Sequence, residues 1–105
     1  MTNELFVGIR NSGTSTRIDL PAEVNRWLGV EFVKIFKATG RIYIVACDVS
    51  EYGSVKAYRS NAGRAIEIGN YVAEGIIPAR LVDGKRHAVK KCTFNGRNAV
   101  YLNIE

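Results

Sequence analysis

The chain has little from which to build an active site. It holds one histidine, His87, and two cysteines, Cys47 and Cys92. A catalytic triad needs a nucleophile, a base and an orienting acid. Ser12, Ser15, Ser50, Ser54 and Ser60 fall in polar turns or linkers with no nucleophile signature around them. The ten carboxylates are scattered, and no spacing pairs them. The turn at 11–16 is glycine-bearing but lacks the lysine and the spacing of a phosphate loop. A metal site needs more ligands than one histidine and two distant cysteines offer. The cysteines would make a disulfide or half a metal site on one reading; on the ordinary reading they are two small apolar strand residues. The expectation is no enzyme, no cofactor and no metal.

Other absences bound the setting. No apolar run approaches the roughly 20 residues of a membrane helix. The opening Met1-Thr2-Asn3-Glu4 lacks the basic patch and apolar core of a signal peptide. A soluble, cytoplasmic protein is expected, without membrane contact. At 105 residues the chain is expected to form a single domain, 1–105, with one core.

What is present is a globular composition with a net charge of +5. The charge is uneven. Residues 1–48 carry six Lys/Arg against five Asp/Glu, and residues 49–105 carry nine against five. An excess of this kind favours polyanionic partners, nucleic acid above all.

Along the chain, hydrophobic alternation predicts strands. Leu5, Val7 and Ile9 alternate with Phe6, Gly8 and Arg10, and Ile18 and Leu20 alternate with Arg17 and Asp19. Pro21 suits the first position of a helix. Val24, Trp27 and Leu28 then share one helical face, which makes Trp27 a core residue, and Gly29 stops the helix. Residues 31–38 and 41–48 read as a hairpin turning at Thr39-Gly40.

The second half repeats this order. A strand at 54–59, a polar turn at 60–63 and a strand from Arg64 lead to a short helix through Val72 and Ile76, with Asn70 as its N-cap. Pro78 ends that helix. Strands at 87–92 and 98–104 flank Asn95-Gly96, a strong hairpin turn. Ile18 and Ile66 lie 48 residues apart, Gly40 and Gly96 lie 56 apart. About eight extra residues therefore fall at 77–86, where Asp83-Gly84 predicts an additional tight turn. The expectation is a mainly β fold with short helices, in which a duplicated strand-strand-helix-hairpin unit, near 5–48 and 54–104, forms one interlocked pseudo-twofold β barrel. Tyr52, between the units, would pack as a latch.

The first unit resembles the AbrB-like swapped-hairpin family of transition-state regulators and MazE-type antitoxins. The resemblance rests on Arg17-Ile18-Asp19-Leu20-Pro21-Ala22-Glu23-Val24, on Trp27-Leu28-Gly29-Val30, and on the hairpin around Thr39-Gly40-Arg41-Ile42. It covers residues 5–47. The second unit departs from it, with Gly69 where Pro21 stands and no Leu-Gly helix end. In that family two units interlock their hairpins, and a tandem copy resembles the pseudo-dimer of MraZ-like members.

The resemblance implies a double-stranded DNA-binding transcriptional regulator that works through arginines of the first two strands. The matching positions are Arg10, Asn11 and Arg17; by internal symmetry Arg59, Asn61 and Arg64 would be their counterparts. Guanidinium forks suit phosphates and guanine edges, and Asn suits adenine. A secondary basic patch is Lys85, Arg86, His87, Lys90, Lys91 and Arg97, either contacting phosphates or guarding an edge strand. Tyr43, Tyr58, Phe94 and Tyr101 are half-buried strand aromatics on the ordinary reading; stacking on single-stranded bases or RNA is the functional one. The rival to DNA binding is a protein-interaction module, antitoxin-like or a virus-encoded inhibitor. A homodimer is a further possibility.

Overall fold

In the computed structural model, which describes residues 4–48, 51–60 and 63–104, one antiparallel sheet wraps into a nearly closed barrel. Its strands are β1 (Leu5–Ser12), β2 (Ser15–Pro21), β3 (Phe32–Ala38), β4 (Arg41–Cys47), β5 (Val55–Lys56), β6 (Tyr58–Ser60), β7 (Gly63–Gly69), β8 (Arg86–Phe94) and β9 (Arg97–Asn103). Two short helices, α1 (Ala22–Leu28) and α2 (Asn70–Glu74), follow β2 and β7. The mainly β, interlocked architecture expected from the sequence is the one observed. Among the described residues no helix is long and apolar enough to cross a membrane.

The strand order is β5-β3-β4-β9-β8-β1-β2-β7-β6. Its two ends, β5 and β6, are consecutive pieces of one segment interrupted at Ala57. That segment closes the barrel. The Ala57 N–H donates to the Glu31 carbonyl at 2.7 Å, and Arg64 Nη1 donates to the Ala57 carbonyl at 2.8 Å. The hairpins are exchanged between halves: β3–β4 pairs with β5 and β9, while β8–β9 pairs with β1 and β4. The halves meet directly in the β2–β7 ladder, centred on Ile18 opposite Ile66, and in the β4–β9 ladder, where Ile44 faces Val100. These four side chains are buried and sit in the core.

Local chemistry explains the elements. Leu5, Val7 and Ile9 on β1, and Ile18 and Leu20 on β2, point into the core as the period-two pattern requires. Both hairpins turn on two left-handed residues, Thr39 (φ 49°) and Gly40 (φ 73°), then Asn95 (φ 51°) and Gly96 (φ 78°). Two positive φ values in succession match the right-handed twist of the flanking strands. Gly29 closes α1 in the left-handed conformation, φ 70°, with its N–H on the Asn25 carbonyl. Trp27 is partly buried against the core and donates its indole N–H to the Ala99 carbonyl at 2.7 Å, which ties α1 to β9.

Several expectations shift. Pro21 precedes the first helical residue of α1 rather than occupying it, since β2 runs through position 21. Gly69, not Asn70, is the N-cap of α2, and no side chain caps it. The Asn70 side chain is engaged elsewhere: its carbonyl oxygen accepts from Thr16 Oγ1 at 2.9 Å and its amide donates to the Gly13 carbonyl at 3.1 Å. The helix also ends at Glu74, short of the expected Ile76. Ala73 and the following Ile77 are buried, whereas Val72 is 56% exposed. Tyr52 is no latch; it is 98% exposed. The extra segment at 77–86 forms a 3-10 turn, Ala79–Leu81, and then a bend. The Asp83 side chain accepts from the Lys85 N–H at 2.9 Å, and the Gly84 N–H donates to the Ile9 carbonyl at 2.8 Å. The chain turns at Asp83-Gly84, but as a loop docked on β1 instead of a hairpin.

Gly63 is dictated by close approach. A Cβ there would lie 2.3 Å from the Leu20 carbonyl oxygen and 3.0 Å from the Ala22 nitrogen. Those are backbone atoms at the β2–α1 junction, and they have nowhere to retreat. Gly63→Ala is expected to lower stability by about 1–3 kcal/mol through forced backbone shifts. Urea unfolding checks this, and an unchanged midpoint would contradict the packing of β7 on β2.

Candidate nucleic-acid interface

The ladder registers assign every outward position. On the outer face of β1 and β2, Arg10 stands opposite Arg17, and Gly8 stands opposite Asp19. Asp19 serves both arginines. Its Oδ1 lies 2.8 Å from Arg17 Nε, and its Oδ2 lies 3.6 Å from Arg10 Nε. The hydrogen bond to Asp19, above all, holds Arg17 charged. The Arg17 guanidinium also lies 5.8 Å from the Tyr58 ring centroid, and burial pushes the Tyr58 phenol up from its ordinary value. Arg17 is thus fixed in place, while the Arg10 side chain remains 52% exposed. Arg86 joins this side of the sheet, opposite Gly8 across β1–β8.

The expected counterparts in the second half lie elsewhere. About the Ile18–Ile66 centre, position 17 corresponds to Ala65 and position 16 to Arg64. Likewise Arg10, opposite Arg17, corresponds to Tyr58, opposite Ala65. Arg59 and Arg64 are one residue out of step with Arg10 and Arg17. One residue reverses the face of a strand. Arg64 accordingly sits opposite inward-facing Leu20, bonded to the Ala57 carbonyl and 4.0 Å from Glu31. Arg59 is exposed beside it. Asn61 lies outside the described residues. Asn11 is on β1, and its amide donates to the Asn70 side-chain oxygen at 3.2 Å.

The secondary patch is divided as well. β8 is not an edge: Arg86–Val89 pair with β1 and Lys90–Phe94 pair with β9. Lys85, Arg86 and Lys90 are exposed. Lys91 lies 5.0 Å from the Trp27 ring centroid. His87 is 2.9 Å from Asp83, whose carboxyl is held below its ordinary range first by the Lys85 N–H and then by His87. Arg97 contacts Glu51 and lies 3.6 Å from Asp48, so its charge is locally matched.

Composition offered no sign of two further features. One is the role of Glu51, which gathers Arg97, Lys34 at 3.3 Å and the Asp48 N–H into a clasp that fastens the inter-unit segment to both hairpins. The other is an aromatic cluster of Phe36, Tyr43, Phe94 and Tyr101 on the outside of the hairpin sheet. Nothing local marks Phe36, whose ring partners Tyr43 and Phe94 come from two other strands. Cys47 and Cys92 are free thiols, each pushed up by burial. Among the described residues no group of three or more His, Cys, Asp or Glu is placed to hold a metal ion.

No family model matches the chain, and no curated protein or solved structure matches it.

Two predictions separate structural from binding charges. Arg64→Ala is expected to cost about 1–3 kcal/mol, because the buried Ala57 carbonyl loses its charged donor. Urea unfolding reads the loss, while affinity for duplex DNA is expected to stay within two-fold. Glu51 carries a pH signature. Its carboxyl is lowered first by the Asp48 N–H, then by Arg97 and Lys34. A carboxyl lowered in the folded state stabilises above its unfolded pKa, about 4.3. That stability is lost as pH falls through the folded value. Glu51→Gln is therefore expected to flatten the fall of melting temperature below about pH 4.3. Parallel curves for the two proteins would contradict the clasp.

Proposed function

We propose that the protein is a double-stranded DNA-binding regulator of the AbrB-like swapped-hairpin kind, built from a duplicated unit, and that it holds DNA on the outer face of β1 and β2. The observation that carries the reading is the pair Arg10 and Arg17, opposed on neighbouring strands and facing outward around one carboxylate. A shared Asp19 relieves their mutual repulsion and, through its hydrogen bond, orients the Arg17 fork before any ligand arrives. Pre-organised guanidinium groups lose less freedom on meeting a phosphate or a guanine edge. Exposed Arg86 on the adjoining β8, with exposed Lys85 in the bend just before it, extends the positive side. The exchange of hairpins between halves supports the family reading, as do the quoted residues of the first unit.

The interface is narrower than a symmetric set of arginines. Arg10, Arg17 and Arg86 carry it, whereas Arg64 serves barrel closure. Electrophoretic retention of duplex DNA at about 50 mM salt is expected, where phosphate contacts are strongest. Arg10→Ala with Arg17→Ala is expected to weaken binding at least ten-fold and to reduce the slope of log affinity against log salt by about 2. Absence of retention by the unmodified protein at that salt would sink the proposal.

One observation favours the protein-interaction reading. On α2, Tyr71 is 91% exposed and Val72 is 56% exposed, adjacent apolar side chains on a short helix. A stoichiometric, nuclease-resistant protein partner lost in Tyr71→Ser would favour it over DNA binding.

A further inference from the structure

The aromatic cluster lies on the hairpin sheet, away from the Arg10–Arg17 face. Ladder registers align Phe36, Tyr43, Tyr101 and Lys90 in one row across β3, β4, β9 and β8. Phe36 stacks on Tyr43 with centroids 5.5 Å apart, and Tyr43 lies 6.0 Å from Tyr101. Phe94 reaches in from the β8–β9 turn, 5.0 Å from Phe36 and 5.5 Å from Tyr43. Row neighbours closer to the other end are small, Val45 opposite Ala99, and both are buried beneath this surface. The rings are half-buried, so part of each remains open to solvent.

Charge on this face is positive. Arg41 lies 4.1 Å from the Tyr101 centroid, and its Nη1 donates to the Tyr43 hydroxyl at 3.4 Å. Lys90 is exposed beside Tyr101 and has no ion-pair partner among the described residues. The nearby acid Glu51 is engaged by Arg97, Lys34 and the Asp48 N–H. A ligand for such a face has flat apolar groups for the rings and negative charge for Arg41 and Lys90. A cationic peptide is repelled, and duplex DNA keeps its bases stacked inside. A single strand offers both features at once.

We propose that this outer face of the hairpin sheet is a second binding surface, for single-stranded DNA. Bases cap the open sides of Phe36 and Tyr101, while Arg41 and Lys90 take backbone phosphates. Besides the two cations and the tyrosine hydroxyls, the neighbouring rows add Asn103, opposite Arg41, and Lys34, opposite Val45; the rings and cations suit a deoxyribose strand without a 2′-hydroxyl contact. The proposal does not depend on the duplex reading, because it uses none of the same residues.

The test is fluorescence anisotropy of a labelled oligothymidylate of about 15 nucleotides with the full chain, at about 50 mM salt, where phosphate contacts are strong. Saturable binding is expected. Phe36→Leu keeps the apolar bulk and removes the ring; it is expected to weaken binding about five-fold or more, the scale of one lost base stack. Lys90→Gln is expected to lower the salt slope by about 0.7, the single-strand value for one phosphate contact. Melting curves confirm that both variants fold, and both are expected to retain duplex DNA like the parent. Three results would each overturn the proposal: no saturable binding of oligothymidylate, equal binding by folded Phe36→Leu, or tighter binding of oligouridylate than of oligothymidylate. Loss of single-strand binding in the Arg10→Ala, Arg17→Ala variant alone would place the strand on the other face and equally overturn it.

Discussion

The β2–β7 ladder joins the two halves of the chain, and the remaining pairings follow from it. Ile18 faces Ile66 at its centre, both with almost no exposed surface. With that pair fixed, each half has its first strands beside the other half's and its hairpin turned outward. The hairpins then find partners only across the boundary, β3 on β5 and β8 on β1, with β4 meeting β9 between them. A half taken alone would leave β2, β4 and the outer hairpin strand unpaired along an edge. Unpaired strand edges invite association with other chains, and the exchange of hairpins removes most of them. Closure falls to the short segment around Ala57, which has hydrogen bonds to β3 on one side and to the Arg64 side chain on the other.

The same frame decides which charges are available. Four cations of the first half and the hairpins have a local acid: Asp19 for Arg10 and Arg17, Glu51 for Lys34 and Arg97. Exposed side chains without such a partner include Lys85, Arg86 and Lys90, all from the second half, where the sequence carries its charge excess. The positions of Arg86 and Lys90 on β8 connect the two proposed surfaces. Its first residues pair with β1 beside Arg10 and Arg17, and its later ones pair with β9 beside the aromatic row.

The strands and turns were legible because they are written locally. Alternation marked the inward faces of β1 and β2, and Thr39-Gly40 and Asn95-Gly96 marked both hairpins. Interlocking was anticipated through the family resemblance, which no local pattern contains. Readings failed where an answer depended on register or on distant partners. Arg64 looked like the counterpart of Arg17 because both lead into aliphatics, yet Ala65 intervenes and reverses its face. Asn70 read as the N-cap of α2, yet its side chain reaches across to Thr16 and Gly13, on the β1–β2 hairpin far away in sequence. Arg97 belonged to a basic run in sequence, and only the fold brings Glu51 to it.

These failures share a cause that bears on function. Inward positions at the ladder centres are constrained twice, by the core and by the ladder, and there the halves match, Ile18 with Ile66 and Ile44 with Val100; at the ladder end buried Thr16 corresponds to Arg64. At outward positions of β1, β2 and their counterparts the halves differ. Arg17 corresponds to Ala65, Arg10 to Tyr58, and Asp19 to Glu67. Equivalent ladder positions about the Ile18–Ile66 pair therefore carry different outward chemistry. A protein of paired identical units presents the same contacts twice and suits a palindromic target. This chain presents its arginine pair once. A duplex bound on that face would be read in one direction, with the second half contributing Tyr58 and Glu67 where a symmetric partner would place a second pair of cations.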